Sequence, residues 1–203
     1  MKVEQYCPAL KGFSAVILSG VLTLSSVWGQ INRGGTPVSE KLIYPEEAIV
    51  RMMPPDLQQV RELESYRSES KNQPFQFAIP YGVSLNTGNS GRWYTLLDGR
   101  KVWKLGIESP GAYSLNLIFD RFELAPGDQL FIYDALKGYV LGGFTSENNK
   151  PSGILATQPV PGDRIFIEYH PSSSFAGPSR LSIGQVAHDF TDDRPMVTAG
   201  GCV

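Results

Sequence analysis

The 203-residue chain is poor in cysteine and histidine, with two of each. Two cysteines are too few for a disulfide-stapled mini-domain or a cysteine-rich zinc site. A basic surplus is also missing: 18 lysines and arginines stand against 20 aspartates and glutamates, which argues against a nucleic-acid-binding chain. The sequence contains no phosphate-cradling glycine loop, no HExxH and no CxxC. Its 19% charged and 41% hydrophobic residues are typical of a globular protein.

The N-terminal end of the chain carries the features of an export signal. Lys2 and Lys11 precede a short apolar run, a pattern typical of a secretory signal peptide. We expect cleavage between Gly29 and Gln30, which makes residues 1–29 the signal. A membrane anchor is the alternative, but serines and a glycine interrupt the run, which is short for a span of about 20 apolar residues. The sequence therefore predicts a secreted or periplasmic protein with no stable membrane span after signal removal.

Residues 30–90 are predicted to form an extended lead-in with one helix near 56–67. Pro54, Pro55 and Asp56 mark the start of that helix, since proline suits a first helical turn and aspartate favours the positive helix end. Apolar residues recur at a spacing of three within an otherwise charged segment. The helix either docks on the main domain or covers a partner, and the sequence leaves both readings open.

Residues 91–190 are predicted to form a mainly β domain. Short runs rich in β-branched and aromatic residues alternate there with Gly, Pro, Asp and Asn turns, which favours an antiparallel β-sandwich or jelly roll of about eight strands. The strands are expected near Arg92–Leu97, Lys101–Glu108, Ala112–Asp120, Gln129–Asp134, Tyr139–Phe144, Gly153–Thr157, Arg164–His170 and Leu181–His188.

Period-two patterning divides the side chains of these strands between two faces. Trp103, Leu105 and Ile107 share one face, and Lys104 lies on the other. Glu168 in a later strand likewise lies opposite the apolar set of its own strand. One face of each strand is therefore predicted to form the core.

The two histidines offer the only route to a hydrolase within the chain. His170 and His188 each end a predicted strand. A Ser-His-Asp hydrolase needs a nucleophile, a base and an orienting acid that converge in space. Serines are plentiful, but no nucleophile-elbow pattern frames them. Both histidines are therefore predicted to be polar strand-end residues, no catalytic residue is assigned, and a self-contained hydrolase would need one of them beside a serine and a carboxylate.

Binding of calcium or carbohydrate is the main alternative function. Asp189, Asp192 and Asp193 are weak calcium candidates, since oxygen-rich clusters hold this ion but their spacing matches no EF-hand. A solvated acidic turn is the default, and no cofactor is expected. Strand aromatics that could contact sugars if exposed, or fill the core if not, are Trp93, Tyr94, Trp103, Tyr113, Tyr133 and Tyr139. The alternative is thus an exported carbohydrate-binding, calcium-binding or adhesion sandwich.

The stretch 91–190 also resembles a known kind of pro-region. Its segments "GRWYTLLDGRKVWKLGIESPGAYSLNLIFDRFELAPGDQLFIYD", "LGGFTSENN", "LATQPVPGDRIFIEYHP" and "LSIGQVAHDF" are similar to the N-terminal pro-region of secreted, trypsin-like lysyl endopeptidases. The resemblance implies a signal peptide and a β-rich, non-catalytic propeptide that assists folding of the catalytic domain or inhibits it. The catalytic His, Asp and Ser would lie beyond Val203, so the chain would be a fragment or a truncated gene product. The implied partner is the catalytic domain of the same precursor.

The C-terminal end matches the resemblance in part. Signal removal would take Cys7 away and leave Cys202 as an odd cysteine, which in an exported chain suggests a missing partner. The resemblance implies that this partner is a cysteine of the catalytic domain, with residues 191–203 as the linker. The implied maturation junction is Ala199, Gly200 and Gly201. The last lysine, Lys150, is followed by Pro151, so a lysine-specific protease would not cut there.

Overall fold

The computed structural model describes residue 32 and residues 34–38, 48–69, 76–136, 138–172 and 179–191, with the backbone alone at 57, 63, 64 and 67–69. The described chain is mainly β, with two sheets and one short α-helix, as the sequence predicts. Among the described residues, no helix has the length and apolar character that crossing a membrane requires.

The described elements comprise eleven strands, the helix and one short 3-10 helix. The strands are β1 (Ile49–Arg51), β2 (Ala78–Asn86), β3 (Arg92–Thr95), β4 (Lys101–Glu108), β5 (Ser114–Glu123), β6 (Gln129–Asp134), β7 (Val140–Phe144), β8 (Leu155–Ala156), β9 (Val160–Pro161), β10 (Arg164–His170) and β11 (Arg180–Asp189). The α-helix α1 is Leu57–Glu69 and the 3-10 helix is Ser146–Asn148.

The strands are arranged in a six-stranded and a five-stranded sheet. The six-stranded sheet has the order β1-β4-β10-β6-β7, and β3 also pairs with β4. The five-stranded sheet has the order β2-β11-β5-β8, and β9 also pairs with β5. The one parallel pair in the described part is β1 with β4. Strands β1 and β2 come from the predicted lead-in, so that segment contributes to both sheets.

The strand predictions differ from the structure mainly where strands are short or irregular. Strands β4, β6 and β10 span the residues that the sequence indicates. The patterning missed β1 and β9, because they have three and two residues and show no period. It also missed β2, whose Pro80 and Gly82 are uncommon in strands. Within the described residues β2 pairs with β11 alone, and an edge strand tolerates proline.

Both sheets contribute to one hydrophobic cluster. Trp103, Leu105 and Ile107 of β4 are buried in it together with Leu115 and Leu117 of β5. The predicted apolar face of β4 is therefore confirmed as core. A second, smaller cluster contains Phe131, Tyr133 and Phe166, with Val140 packed against it. These residues alternate with members of the main cluster along β6 and β10, so they lie on the opposite face of the six-stranded sheet.

Helix α1 begins after a side-chain cap. The backbone N–H of Gln58 donates to the Asp56 carboxylate at 2.8 Å, which satisfies one of the free amides of the first turn. The helix predicted near 56–67 is thus observed over Leu57–Glu69. Val60 is half-buried, and the other described side chains of the helix are exposed.

Candidate functional site

A buried ion pair lies on the second face of the six-stranded sheet. Glu168 of β10 is directly opposite Lys104 of β4 in the antiparallel register. The Lys104 Nζ lies 3.2 Å from Glu168 Oε2, and neither side chain is exposed to solvent. The alternation of β4 places Lys104 opposite the core residues, as the sequence predicts, but the outer face is buried rather than solvated.

Three further groups donate to the same carboxylate. The Tyr133 hydroxyl donates to Glu168 Oε2 at 3.0 Å. The His170 Nε2 lies 2.6 Å from Oε1, and the backbone N–H of Val38 donates to Oε1 at 2.7 Å. We call Lys104, Tyr133, Glu168 and His170 the Glu168 cluster. Both carboxylate oxygens of Glu168 are therefore hydrogen-bonded or ion-paired, by groups from three strands and from the lead-in.

The cluster keeps Glu168 ionised. Burial by itself raises the pKa of this carboxyl, but the hydrogen bond from His170, the charges of Lys104 and His170 and the Tyr133 hydroxyl together lower it to about 2. Such a group neither donates nor accepts a catalytic proton near neutral pH. The arrangement therefore holds structure together rather than performing acid–base chemistry.

The lead-in covers this cluster with residues 34–38, which we call the strap. The Gly34 N–H donates to the Gly142 carbonyl of β7 at 3.1 Å. A Cβ on Gly35 would meet the Phe131 ring of β6 at 3.2 Å, and Pro37 is buried. Val38 then reaches Glu168 on β10. The strap thus runs across the outer face from β7 over β6 to β10.

The sequence of β6 also carries a signal that this outer face is covered. Along β6, Leu130 and Ile132 enter the main core, while Phe131 and Tyr133 enter the smaller cluster. Both alternating sets are apolar or aromatic, which is typical of a strand covered on both faces. The pattern could therefore have predicted a layer over this face, though not which segment supplies it.

A solvent-facing cleft adjoins the cluster at His170. It has a volume of about 520 Å³ and lies between the turn before β4, the turn before β6 and the end of β10. Arg100, Lys101, Gln129 and Ser172 contribute to its lining together with His170. Arg100 is paired at its Nε with the exposed Asp98 carboxylate at 2.7 Å. His170 therefore lies between this cleft and Glu168.

Asp128 holds the chain beside the cleft. Its carboxylate accepts hydrogen bonds from the Tyr169 hydroxyl at 2.6 Å and from the backbone N–H of Ser172 at 2.7 Å. The Ser179 hydroxyl also donates to it. Burial, together with the bond to Asp128, raises the pKa of Tyr169 above its ordinary value, so this tyrosine stays protonated. The contacts position the chain on both sides of residues 173–178.

The structure brings a serine to one of the two histidines, but inside the protein. The Ser109 Oγ lies 2.8 Å from the His188 Nδ1, and both side chains are buried. The adjacent Asp189 carboxylate accepts bonds from the Ser114 hydroxyl and from Thr191. Burial lowers the pKa of His188, with Asp189 opposing it in part, so the imidazole is neutral near pH 7. A substrate has no access to this Ser–His pair, which therefore links the ends of β4 and β11.

The calcium candidates are only partly described. Asp189 is 3% exposed, and its two oxygens bind Ser114 and Thr191. Asp192 and Asp193 lie outside the described residues. In the part of the chain that the structure describes, no group of three or more His, Cys, Asp and Glu side chains is placed to hold a metal ion.

The aromatic candidates for sugar contact are divided between core and surface. Trp103 and Tyr133 are buried, whereas Trp93 and Tyr113 are 43% and 52% exposed. The Trp93 ring lies edge-on to Tyr169 with 6.0 Å between centroids. Trp93 belongs to β3 of the six-stranded sheet, while Tyr113 lies in the turn before β5 of the other sheet. The two exposed aromatics therefore do not share one sheet face.

The remaining predicted positions lie outside the described residues. They are the signal-cleavage residues Gly29 and Gln30, the junction residues Ala199, Gly200 and Gly201, and the half-cystine candidate Cys202. A comparison of the chain with models of known protein families finds no match.

Proposed function

We propose that the chain is the non-catalytic pro-region of an exported, lysyl endopeptidase-like serine protease. Its two sheets form a β-sandwich that assists folding of the catalytic domain of the same precursor or keeps that domain inactive. The resemblance over 91–190 supports this role. The mainly β fold, with a lead-in that contributes strands to both sheets, is consistent with it.

The observation that carries the proposal is the exposed helix α1. Its neighbours along the chain, β1 and β2, are held in the sheets by β4 and β11. The helix itself presents Tyr66 at 66% exposure, and Met53 just before it is 81% exposed. A helix that is anchored through its flanking strands, with an exposed tyrosine on it and an exposed methionine before it, offers a surface for a partner. Covalent linkage to the catalytic domain would make that contact effectively intramolecular.

The first test of this function is the reading frame beyond Val203. We expect it to encode a trypsin-like domain with its His, Asp and Ser framework. Absence of that framework contradicts the proposal.

The second test supplies the chain in trans. The encoded catalytic domain is refolded with and without the purified chain, and the yield of active protease is measured; inhibition of the folded protease is measured separately. Tyr66→Ala should reduce the effect about tenfold, a loss typical of an exposed aromatic that anchors an interface. The matched control Tyr113→Ala, at an exposed tyrosine on a turn, should behave as wild type. A chain with no effect on refolding or on activity would refute the role.

A further inference from the structure

The strap is joined to the sheet by few contacts. In the described part of the chain, two hydrogen bonds connect it, from the Gly34 N–H to Gly142 and from the Val38 N–H to Glu168. Pro37 is its one buried residue. Val38, the one aliphatic residue of the strap, is not part of the main core cluster. Segments with few buried apolar contacts open at a lower free energy than core strands.

The surface beneath the strap is shaped for a main chain. Gly143 has a φ of +38°, and a Cβ there would collide with the carbonyl oxygen of Gly34. A Cβ on Gly35 would press on the Phe131 ring. The absence of side chains at these positions lets the two backbones approach closely. The surface therefore fits a segment that begins with two glycines of positive φ and ends on a main-chain N–H aimed at Glu168.

We propose that the outer face of the six-stranded sheet is a peptide-binding groove and that the strap is its intramolecular occupant. The groove selects a glycine-containing segment through the Gly143 surface, the site in which Pro37 is buried and the Glu168 carboxylate. The strap leaves the groove as a unit while both sheets stay folded. This device is independent of the pro-region role, because it rests on contacts within the chain.

Residue-resolved hydrogen exchange of the full chain tests the groove. The Val38 amide reports strap opening, and the Ile167 amide, at the centre of β10, reports unfolding of the sheet. Under conditions where opening and closing are fast relative to exchange, Val38 should be protected at least tenfold less than Ile167. Equal protection of the two amides, which means that they open in one cooperative step, overturns the proposal.

Pro37→Ala tests the strap separately from the sheets, because it truncates a buried side chain that lies in sequence between Gly35 on the Phe131 ring and Val38 on Glu168. Val38 protection should fall about tenfold, as expected for the loss of about two buried methylenes, while Ile167 protection stays within twofold. The matched control is Pro110→Ala, at an exposed proline in the turn before β5; it should leave both amides unchanged. A Pro37→Ala chain with unaltered Val38 protection, or with equal losses at Val38 and Ile167, contradicts the groove.

Glu168→Gln provides a second, independent variant. The amide of glutamine still accepts a hydrogen bond but lacks the charge, so Val38 protection should fall by about tenfold relative to Ile167. Glu123→Gln, at an exposed glutamate paired with Arg180 at 3.6 Å, is the control for loss of a carboxylate. If the ratio of Val38 to Ile167 protection is the same in Glu168→Gln as in the Glu123→Gln control, Glu168 does not hold the strap.

Discussion

The two faces of the six-stranded sheet are both buried, yet different interactions hold them. On the inner face, Leu105, Ile107 and Ile167 have no solvent exposure and pack in the core that both sheets share. On the outer face of the same strands, Lys104 and Glu168 are equally buried but carry opposite charges. The inner face packs against the other sheet, and the strap crosses the outer face at β7, β6 and β10.

The difference shows how the same degree of burial leads to different sensitivities. Apolar contacts on the inner face are non-directional, so a small change of shape costs in proportion to the atoms removed. The outer face depends on paired groups, since a single deletion leaves an uncompensated charge in a dry site. Substitutions of similar size should therefore have unequal effects on the two faces.

The largest effect is expected from Lys104→Ala. It leaves the Glu168 carboxylate buried without its lysine, and breaking such a pair costs about 3–5 kcal/mol. Urea unfolding measures the change in the free energy of unfolding. Lys101→Ala, at an exposed lysine at the start of the same strand, should cost no more than about 0.5 kcal/mol. Equal effects at the two lysines would mean that the ion pair is not buried as described.

A smaller effect is expected from Tyr133→Phe. This substitution removes the hydroxyl that donates to Glu168 Oε2 and preserves the ring. Hydrogen bonds to charged groups contribute about 1.5–3 kcal/mol, so the free energy of unfolding should fall by that amount. The exposed Tyr113, changed to Phe, serves as the control and should show no measurable change. A Tyr133→Phe chain as stable as wild type would show that this hydroxyl does not stabilise the outer face.

Ile107→Val tests the inner face. It removes one methylene from the main core, which typically costs about 0.5–1.5 kcal/mol. Because no charge is involved, the loss should be the same at pH 7 and pH 3, measured by urea unfolding. A loss that changes strongly between those pH values would contradict the division between the two faces.

The smallest net effect is expected when both charges are removed together. Lys104→Met combined with Glu168→Gln preserves the approximate volumes and leaves no buried charge behind. Replacement of a buried ion pair by uncharged groups is often neutral, so the double variant should lie within about 1 kcal/mol of wild type. Losses that simply add those of the two single variants would show that Lys104 and Glu168 do not interact.

Much of the sheet structure follows from local patterns in the sequence. Strands β4 and β10 combine clear alternation with flanking turn residues, β6 is a short apolar and aromatic run between turns, and the bounds of all three agree with the prediction. The Asp56 cap identified the start of α1. By contrast, β1 and β2 depend on pairing with distant strands, and their own residues carry little period-two signal.

The candidate site was less predictable, because its contacts join distant segments. A charge on the alternate face of a strand ordinarily indicates solvent, so Lys104 and Glu168 gave no sign of their burial. Val38 lies 130 residues from Glu168 in sequence, and its contribution is a backbone N–H, which no residue pattern encodes. The Ser109–His188 pair likewise spans 79 residues and matches no motif spacing.

The role of ionised Glu168 in holding the outer face is tested most directly by the free energy of unfolding of wild type and Glu168→Gln between pH 7 and pH 2. The pKa of Glu168 is lowered from its usual 4.5 to about 2 in the folded chain. The stabilisation is therefore fully present above pH 4.5 and is lost as the pH falls through about 2. Wild type should lose about 3 kcal/mol more than the variant over this range. Parallel pH profiles for the two chains would contradict an ionised Glu168 as the group that holds the outer face.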